Sequence, residues 1–411
     1  MSTKGRMRGM ASGVDTNNRN RITVGLNVGV FTNAAYFGVA SVAIPLVLVS
    51  KGFDKLEIVV FFIVGSLTAG ILNSSVGPYF RRRGFPWWGV SIPTAAGAVG
   101  VLGLFWASSL LSVVVFSAAL GCLTLVFPFY IGLDHTRREH DDARAVAKLR
   151  TLFVSGYVAG LGLFALIQIV LPSDTHSLPL LTAALIVGVN LAASFSIRGS
   201  KKGGANREHA APTVSQAGVP ISRVTAVIAA AAILALVAAD TLRAVYLPIL
   251  LINHGFTAAF ISGVVLACVL AEIPLLPVLG RASERFGNEW VLTFVCIAGA
   301  VSFAAFAVSR DPVVLVLSQV VYAVFAAGFQ SIGMVHMGNR IRGGLAMGAS
   351  IYVVLVQAGA VLGVALPLAI PGYSGGIFII AMMLCILGGA LALVRSPPSK
   401  VRPCSALRPH R

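Results

Sequence analysis

Long apolar runs, separated by short polar segments, repeat along almost the whole chain. A helix that crosses the hydrocarbon core of a membrane needs about 20 predominantly apolar residues. By that criterion the pattern predicts an all-α membrane protein with twelve membrane-spanning helices. Their expected bounds are 22–49, 56–79, 87–106, 110–132, 150–171, 178–197, 223–252, 258–279, 290–308, 313–337, 345–370 and 375–395.

The composition agrees with this assignment and excludes an ordinary soluble domain. Of the 411 residues, 57% are hydrophobic and 11% are charged, whereas charged residues make up about a quarter of a typical soluble domain. The formal net charge of +17 is also compatible with nucleic-acid binding, but the basic residues form short clusters between apolar runs rather than one basic face. We therefore expect a lipid bilayer, and no nucleic acid, as a partner.

The basic clusters also predict the orientation of the chain. Alternate polar segments hold most of the 31 Lys and Arg residues, whereas the segments between them hold only Lys51, Lys55 and Arg310. Because cytoplasmic loops are enriched in Lys and Arg, both termini are expected in the cytoplasm of a multi-pass cell-membrane protein. The first apolar run is longer than a signal-peptide core, so no cleaved signal is expected.

One internal segment, 199–222, has the Gly-, Ala- and Pro-rich composition of a linker. It separates two six-helix halves, 22–198 and 223–395, which are flanked by cytoplasmic tails 1–21 and 396–411. Six positions match between the halves at one constant offset, which indicates a duplicated unit. Pro45, Gly52, Phe53, Gly77, Arg82 and Gly84 correspond to Pro248, Gly255, Phe256, Gly280, Arg285 and Gly287. Two parallel repeats around a central cavity are a transporter architecture.

Three charged residues lie well inside predicted spans. Asp240 and Arg243 occupy the middle of one span, and Glu272, followed by Pro274, lies in the next. Charges at membrane depth are costly and normally face a bundle interior or a water-filled path. Asp240 and Arg243 are three residues apart and can pair on one helix face. They are either a structural ion pair or a coupling site in which Asp240 binds and releases a proton and Arg243 holds it anionic. Glu272 is a carboxylate bonded locally at the turn distorted by Pro274, a second protonation site, or an acceptor for sugar hydroxyls.

Uncharged polar residues within the spans are candidates for a binding cavity. Amides offer donors and acceptors to a hydroxyl-rich ligand, and aromatic rings offer a stacking surface. The alternative is hydrogen bonding that only holds neighbouring helices together. The candidates are Asn33, Tyr36, Gln319, Tyr322, Gln330, Tyr352 and Gln357.

The segment Gly280-Arg281-Ala282-Ser283-Glu284-Arg285-Phe286-Gly287 resembles the cytoplasmic loop motif of the major facilitator superfamily. The resemblance extends to the twelve spans, the linker and the repeat, and it implies the major facilitator fold. In that family the acid and the base of the loop help to hold the cytoplasmic side closed, which implies a gate at Gly280, Glu284, Arg285 and Gly287. The first-half copy departs from the motif, with Arg81 where the family has Asp.

Within this superfamily, the second half is most similar to bacterial sugar efflux transporters. The similar stretches are Tyr246-Leu247-Pro248-Ile249, His254-Gly255-Phe256, Ala271-Glu272-Ile273-Pro274 and Gly328-Phe329-Gln330-Ser331-Ile332-Gly333-Met334. This similarity implies a secondary active transporter, an antiporter of the inner membrane that exports sugars or related small polar molecules in exchange for protons by alternating access. The closest alternative is a multidrug or antibiotic exporter of the same superfamily.

Other chemistries have little support in the sequence. A polytopic membrane enzyme would need a nucleophile-base set or a metal-ligand motif, and neither is evident. The His- and Asp-containing segment 134–142 is more typical of a solvated connector than of a metal site. No phosphate-binding loop with Gly-Lys-Ser/Thr occurs, so an ion gradient is the expected energy source. We expect a monomer without a cofactor.

Overall fold

The computed structural model describes residues 4–83, 86–135, 142–171, 177–198, 223–340 and 344–394. The predicted linker 199–222 and the C-terminal tail 396–411 lie outside these ranges. Within them the chain forms α-helices, two 3-10 turns and no strand. The helices are α1 (Lys4–Ser50), α2 (Lys55–Arg83), α3 (Trp88–Trp106), α4 (Leu110–Gly121), α5 (Val126–His135), α6 (Asp142–Val170), α7 (Ser177–Ser196), α8 (Arg223–Asn253), α9 (Ala258–Phe286), α10 (Asn288–Val308), α11 (Pro312–Asn339), α12 (Gly344–Ala365) and α13 (Gly376–Ala392).

The prediction of an all-α membrane protein is confirmed. Among the described residues, 11 helical segments are long and apolar enough to cross a membrane, and α13 is a shorter apolar helix. Helices α4 and α5, joined by the 3-10 turn Cys122–Leu125, together form one such segment. Helix α1 begins at Lys4 and continues into the first apolar segment, Asn20–Ser50.

The helices are arranged in two halves with related packing. In the first half α1 packs on α6 and α7, and in the second α8 packs on α12 and α13. The halves contact each other through α2 with α12, α6 with α9, and α1 with α8. A shift of six spans exchanges the first two of these pairs, because α9 is the counterpart of α2 and α12 is the counterpart of α6. The interface therefore has the pseudo-twofold relation expected of a duplicated unit.

The matching Gly-Phe positions of the two halves form the same helix cap. Gly52 and Gly255 have φ values of 81° and 86°, in the left-handed region that favours glycine. Their amides bond to carbonyls three residues earlier, and those of Phe53 and Phe256 bond to carbonyls five residues earlier, at 2.9–3.2 Å. This is the Schellman pattern of helix termination. The repeat in the sequence thus encodes one turn used twice, after α1 and after α8.

A polar network holds the first half together. The Asn190 side chain on α7 donates to the Gly29 carbonyl at 2.6 Å and to the Thr32 hydroxyl at 3.0 Å, both on α1. Its oxygen accepts from Thr94 on α3 and from Tyr130 on α5, each at 3.3 Å. All four hydrogen-bonding positions of the amide are occupied. Asn190 is therefore a structural residue that ties four helices together.

Helices α1 and α6 approach closely because glycines line their contact. A methyl group added at Gly156 would overlap the Phe31 carbonyl oxygen, and one added at Gly160 would overlap the Ala35 carbonyl oxygen. Both obstacles are backbone atoms, which cannot rotate away. Gly162, two residues further on, has open space at the same position. The small residues at helical spacing therefore permit backbone-to-backbone packing.

We predict that Gly160→Ala destabilises the purified protein by about 1–3 kcal/mol, the usual cost of overpacking. Thermal unfolding in detergent should show a clear fall in Tm. Gly162→Ala is the matched control on the same helix and should leave Tm unchanged or slightly higher, since alanine is the better helix former. Equal Tm values for the two variants would contradict the close α1–α6 contact.

Candidate functional site

A cavity of about 540 Å³ lies between the two halves. Helices α5 and α6 of the first half line one side, and α8, α9 and α11 of the second half line the other. It extends from Asp240 and Tyr322 near mid-membrane to Arg150 and Gln330, which are exposed towards the helix ends on the side of the N-terminus. The cavity is therefore open on the side of the N-terminus, called the open end below.

The opposite end of the bundle, called the closed end below, is sealed by contacts between the halves. The Ser262 hydroxyl of α9 donates to the Leu161 carbonyl of α6 at 2.9 Å. Within the second half, the Tyr246 ring of α8 is buried just beyond the cavity, and its hydroxyl donates to the Val364 carbonyl of α12 at 2.8 Å. The cavity that begins at the open end therefore stops at the level of Asp240 and Arg243.

Asp240 and Arg243 are linked through a tyrosine of another helix rather than to each other. The Tyr322 hydroxyl of α11 donates to Asp240 Oδ1. The Arg243 guanidinium lies 4.4 Å from the centroid of the Tyr322 ring and donates through Nη2 to Gln319 Oε1, also on α11. The direct pairing expected from their spacing is not formed. The carboxylate instead contacts the hydroxyl of Tyr322, and the guanidinium contacts the face of the same ring.

This cluster retains hydrogen-bonding capacity. Arg243 Nε and Gln319 Nε2 are buried and have no hydrogen-bond partner among the described residues. A buried donor without an acceptor is costly, typically about 1–3 kcal/mol. Arg243 also lines the cavity. The deep end of the cavity can therefore accept a ligand that presents hydrogen-bond acceptors.

Glu272 lies in the same cavity, closer to the open end. It is on α9, in the turn before Pro274, and it lines the cavity together with Arg150 of α6. The two side chains belong to opposite halves, and no ion pair joins them within the described part of the chain. All three charges singled out in the sequence, Asp240, Arg243 and Glu272, thus face one water-accessible space.

Only part of the predicted polar set lines the cavity. Tyr322 and Gln330 do so, and Gln319 lies behind Arg243. Asn33 and Tyr36 are buried within the first half, at 2% and 3% exposure. On α12, Gln357 packs near Gly70 of α2, and Tyr352 packs near Gly333 of α11. These four residues support helix packing in this conformation.

An aromatic wall of the cavity is not evident from the sequence. Phe127 of α5 and Phe153 of α6 both line the cavity, with ring centroids 4.4 Å apart, and Tyr157 lies one turn further along α6. The chain has 23 phenylalanines, most of them within the apolar runs, and a single sequence does not distinguish those that face lipid from those that face a cavity. Only the packing of α5 against α6 brings these rings together.

The loop motif lies at the open end, outside the cavity lining. Glu284 and Arg285 are exposed near the end of α9, with the Arg285 guanidinium 5.2 Å from the Phe286 ring centroid. Gly287 ends the helix with a φ of 87°, and its amide bonds to the Ser283 carbonyl. Gly280 has open space where a side chain would be. A gate made by this motif is not engaged while this end is open.

Comparisons with known proteins agree with this architecture. Residues 228–408 match the sequence model of the Major Facilitator Superfamily. The crystal structure of the nucleoside transporter NupG is similar with a TM-score of 0.75 at 14% identity, covering 90% of this chain and 97% of that one. A bacterial homologue of the iron transporter ferroportin, in an inward-facing state, is similar with a TM-score of 0.64 at 16% identity, covering 90% and 98%. The chain has the major facilitator fold, and the family match favours a transporter over an enzyme.

We predict that the hydroxyl of Tyr322 and the carboxylate of Asp240 are energetically coupled. In a double-mutant cycle of Tyr322→Phe with Asp240→Ala, the coupling energy should be about 1.5–3 kcal/mol, as expected for a buried hydrogen bond to a charged group. Thermal unfolding of the four purified proteins measures it. Tyr352→Phe, combined with the same Asp240 change, is the control and should give a coupling near zero. Equal couplings for the two tyrosines would refute the assigned contact.

Proposed function

We propose that this chain is a secondary active transporter of the major facilitator superfamily that exports sugars or related small polar molecules in exchange for protons. The cavity between the halves carries the proposal, because it is open at one end, closed at the other, and holds ionisable groups at its depth. A cavity of this kind, between two repeats that can rock against each other, supports alternating access.

The Lys and Arg distribution supports an orientation in which the open end can take up substrate for export. It favours a cytoplasmic N-terminus, so the open end faces the cytoplasm and the closed end faces outward. A transporter in this conformation can load its substrate from the cytoplasm. Export then requires the closed end to open after the open end has closed around the substrate.

The charge cluster supports coupling to protons. With Asp240 ionised, its negative charge balances that of Arg243 across the Tyr322 ring. A proton on Asp240 removes this balance, and it also weakens the hydrogen bond from the Tyr322 hydroxyl because a neutral carboxyl group is a poorer acceptor than a carboxylate. The conformations that expose Asp240 to either side therefore differ in proton affinity, which is the requirement for coupling a proton to the conformational change.

The cavity chemistry supports a polar substrate with an apolar face. Asp240, Gln330 and the free Nε of Arg243 offer acceptors and donors for hydroxyl groups. The Phe127–Phe153 pair offers an aromatic surface for a sugar ring or a base. The nucleosides carried by NupG combine these two features and belong among the compounds to be tested.

A second candidate function rests on the apolar part of the lining. Val265, Ile273 and Leu276 of α9 face the same space as Phe127 and Phe153. A mostly apolar cavity with one or two acids also fits an amphipathic organic cation. Export of drugs or antibiotics is therefore the alternative, and a substrate screen separates the two.

We predict that an imposed pH gradient drives transport by wild-type protein in sealed proteoliposomes, and that Asp240→Asn abolishes this uphill movement. The reason is that an amide cannot carry the proton. Asp311→Asn is the matched control, because Asp311 caps α11 outside the cavity by accepting from the amides of Val313 and Val314, and asparagine can replace it as a cap. Uphill transport by Asp240→Asn with an unchanged pH profile would refute the coupling role.

We predict further that the pH dependence does not arise from His254 in the turn after α8. Burial and the nearby Arg310 hold the pKa of His254 below its ordinary value, so this side chain is already neutral around pH 7 and stays so as the pH rises. His254→Gln should therefore leave the profile between pH 6.5 and 8 unchanged, given an ordinary histidine pKa of about 6.5. A shifted profile in this variant would assign the titration to His254 instead.

We predict that Phe153→Ala weakens transport of the true substrate by raising its KM about tenfold, whichever class that substrate belongs to. Counterflow measurements with labelled sugars, nucleosides and lipophilic cations identify the class, and the variant tests the site. Phe195→Ala on α7 is the control, since Phe195 is exposed on the outside of the bundle. Gradient-driven movement of the cations alone would select the drug-export alternative.

A further inference from the structure

A lysine of the first half is held by backbone oxygens of the second half at the closed end. Lys55 is the first residue of α2. Its ammonium donates to the carbonyl oxygens of Pro367, Ile370 and Gly372 at 2.6, 2.6 and 2.8 Å. These three oxygens satisfy the three N–H donors of the ammonium. The contact spans the interface between the two six-helix halves.

The site that holds the ammonium, which we call the carbonyl cage, is built by the turn between α12 and α13. Helix α12 ends in the 3-10 turn Leu366–Ala369, and carbonyls at such a C-terminal end favour a cation. The Pro367 carbonyl accepts the Ile370 amide and has a second lone pair for the ammonium. Gly372, with a φ of 64°, turns the chain back so that its carbonyl joins the others. The cage is thus a consequence of how this helix ends.

Two tyrosine rings complete the carbonyl cage. The Lys55 nitrogen lies 5.8 Å from the ring centroid of Tyr246 on α8 and 5.6 Å from that of Tyr373. Both distances are within the range of a cation–π interaction. Three carbonyl oxygens and two aromatic faces form a site suited to a primary ammonium group.

Few other side chains join the halves at this end. Within the described residues, hydrogen bonds from side chains cross between the halves only at Lys55 and at Ser262, and the latter is a single neutral bond to Leu161. Lys55 therefore makes the strongest polar contact that must break if the halves separate here. Once released, its ammonium enters water, which solvates it well, so the contact can open and close repeatedly.

We propose that Lys55 and the carbonyl cage form the external gate, whose engagement holds the closed end shut. The assignment of this end as external and the need for it to open rest on the proposed function. The gate itself rests on the contacts above. Loss of the ammonium should shift the protein towards conformations that are open at this end.

Lys51 provides a matched control in the same turn. Its ammonium also donates to backbone carbonyls, those of Phe105 and Ala107 at 2.8 and 3.3 Å. Both acceptors belong to the first half: Phe105 is in the last turn of α3 and Ala107 is its C-cap. Removal of Lys51 therefore deletes the same charge and the same type of bond without affecting the contact between the halves.

The test measures access to the cavity from each side of the membrane. Ala244 lines the cavity and is exposed, so Ala244→Cys in a background without other cysteines reports access to a membrane-impermeant maleimide. Vesicles of both orientations are labelled. In Lys55→Ala, labelling from the closed-end side should rise about tenfold and labelling from the open-end side should fall. Lys51→Ala should label like the parent.

A chemical rescue tests the carbonyl cage itself. In Lys55→Ala, propylammonium added on the closed-end side should occupy the empty cage and return labelling from that side towards the parent rate. Tetramethylammonium has the same charge but no N–H donor, so it should have no effect. Lys55→Gln, which keeps a donor without the charge, should give an intermediate rate and serves if the alanine variant does not fold.

The proposal is overturned if Lys55→Ala labels like the parent from both sides, or if Lys51→Ala reproduces its effect. It is also overturned if tetramethylammonium rescues as well as propylammonium. Labelling does not depend on the substrate or the coupling ion, so these outcomes remain interpretable if proton-driven transport is absent. If Lys55→Ala loses transport while its labelling stays like that of the parent, opening of the gate is not the reason for the loss. That result would overturn the gate and leave the proposed function to be tested separately.

Discussion

The arrangement of the cavity depends on how two opposite charges on α8 are balanced inside the membrane. Asp240 and Arg243 lie three residues apart on one helix face, yet they do not neutralise each other by a direct contact. Tyr322 of α11 instead accepts the guanidinium on its ring face and donates its hydroxyl to the carboxylate. The charges are compensated while the carboxylate and part of the guanidinium face the cavity. A tyrosine is suited to this position because it combines a π face with a hydroxyl donor.

The two halves share a fold and differ in their interiors. The same Schellman caps end α1 and α8 at Gly52 and Gly255, and the contacts between halves obey the same pseudo-twofold relation. The first half is held together by the neutral network of Asn190, whereas the second half carries Asp240, Arg243 and Glu272. The shared caps and packing thus form the scaffold, and the ionisable groups Asp240, Arg243 and Glu272 lie on one side of the cavity. The first half contributes the aromatic wall opposite them.

The sequence predicts the spans and the turns well because both depend on local chemistry. A span requires about 20 apolar residues, and a left-handed cap requires glycine. The charged residues Asp240, Arg243 and Glu272 line the cavity, and the cost of a charge in lipid is the reason a sequence indicates such a position. The uncharged polar residues are harder to assign from the sequence, since an asparagine within a span, such as Asn33, indicates only that its side chain avoids lipid. Whether such a residue lies in a cavity or between helices depends on packing that no spacing encodes. The spacing of Asp240 and Arg243 permits a direct contact between them. In the structure both side chains instead contact Tyr322, which lies 79 positions beyond Arg243 in the sequence.

Helix α8 connects the charge cluster with the closed end. Arg243, in the cavity, and Tyr246, in the carbonyl cage of Lys55, are three residues apart and lie on neighbouring positions of one helix face. The Tyr246 hydroxyl is bonded to the last turn of α12, the helix whose end supplies the cage. Arg243 in the cavity and the carbonyls that hold Lys55 are thus connected through Tyr246 and its hydrogen bond to Val364. Because the repeat places Ala258 where the first half has Lys55, the second half has no matching lysine. Only the first half therefore contributes an ammonium group to the closed end. Helix α8 connects this contact with the cavity, because it carries both Arg243 and Tyr246.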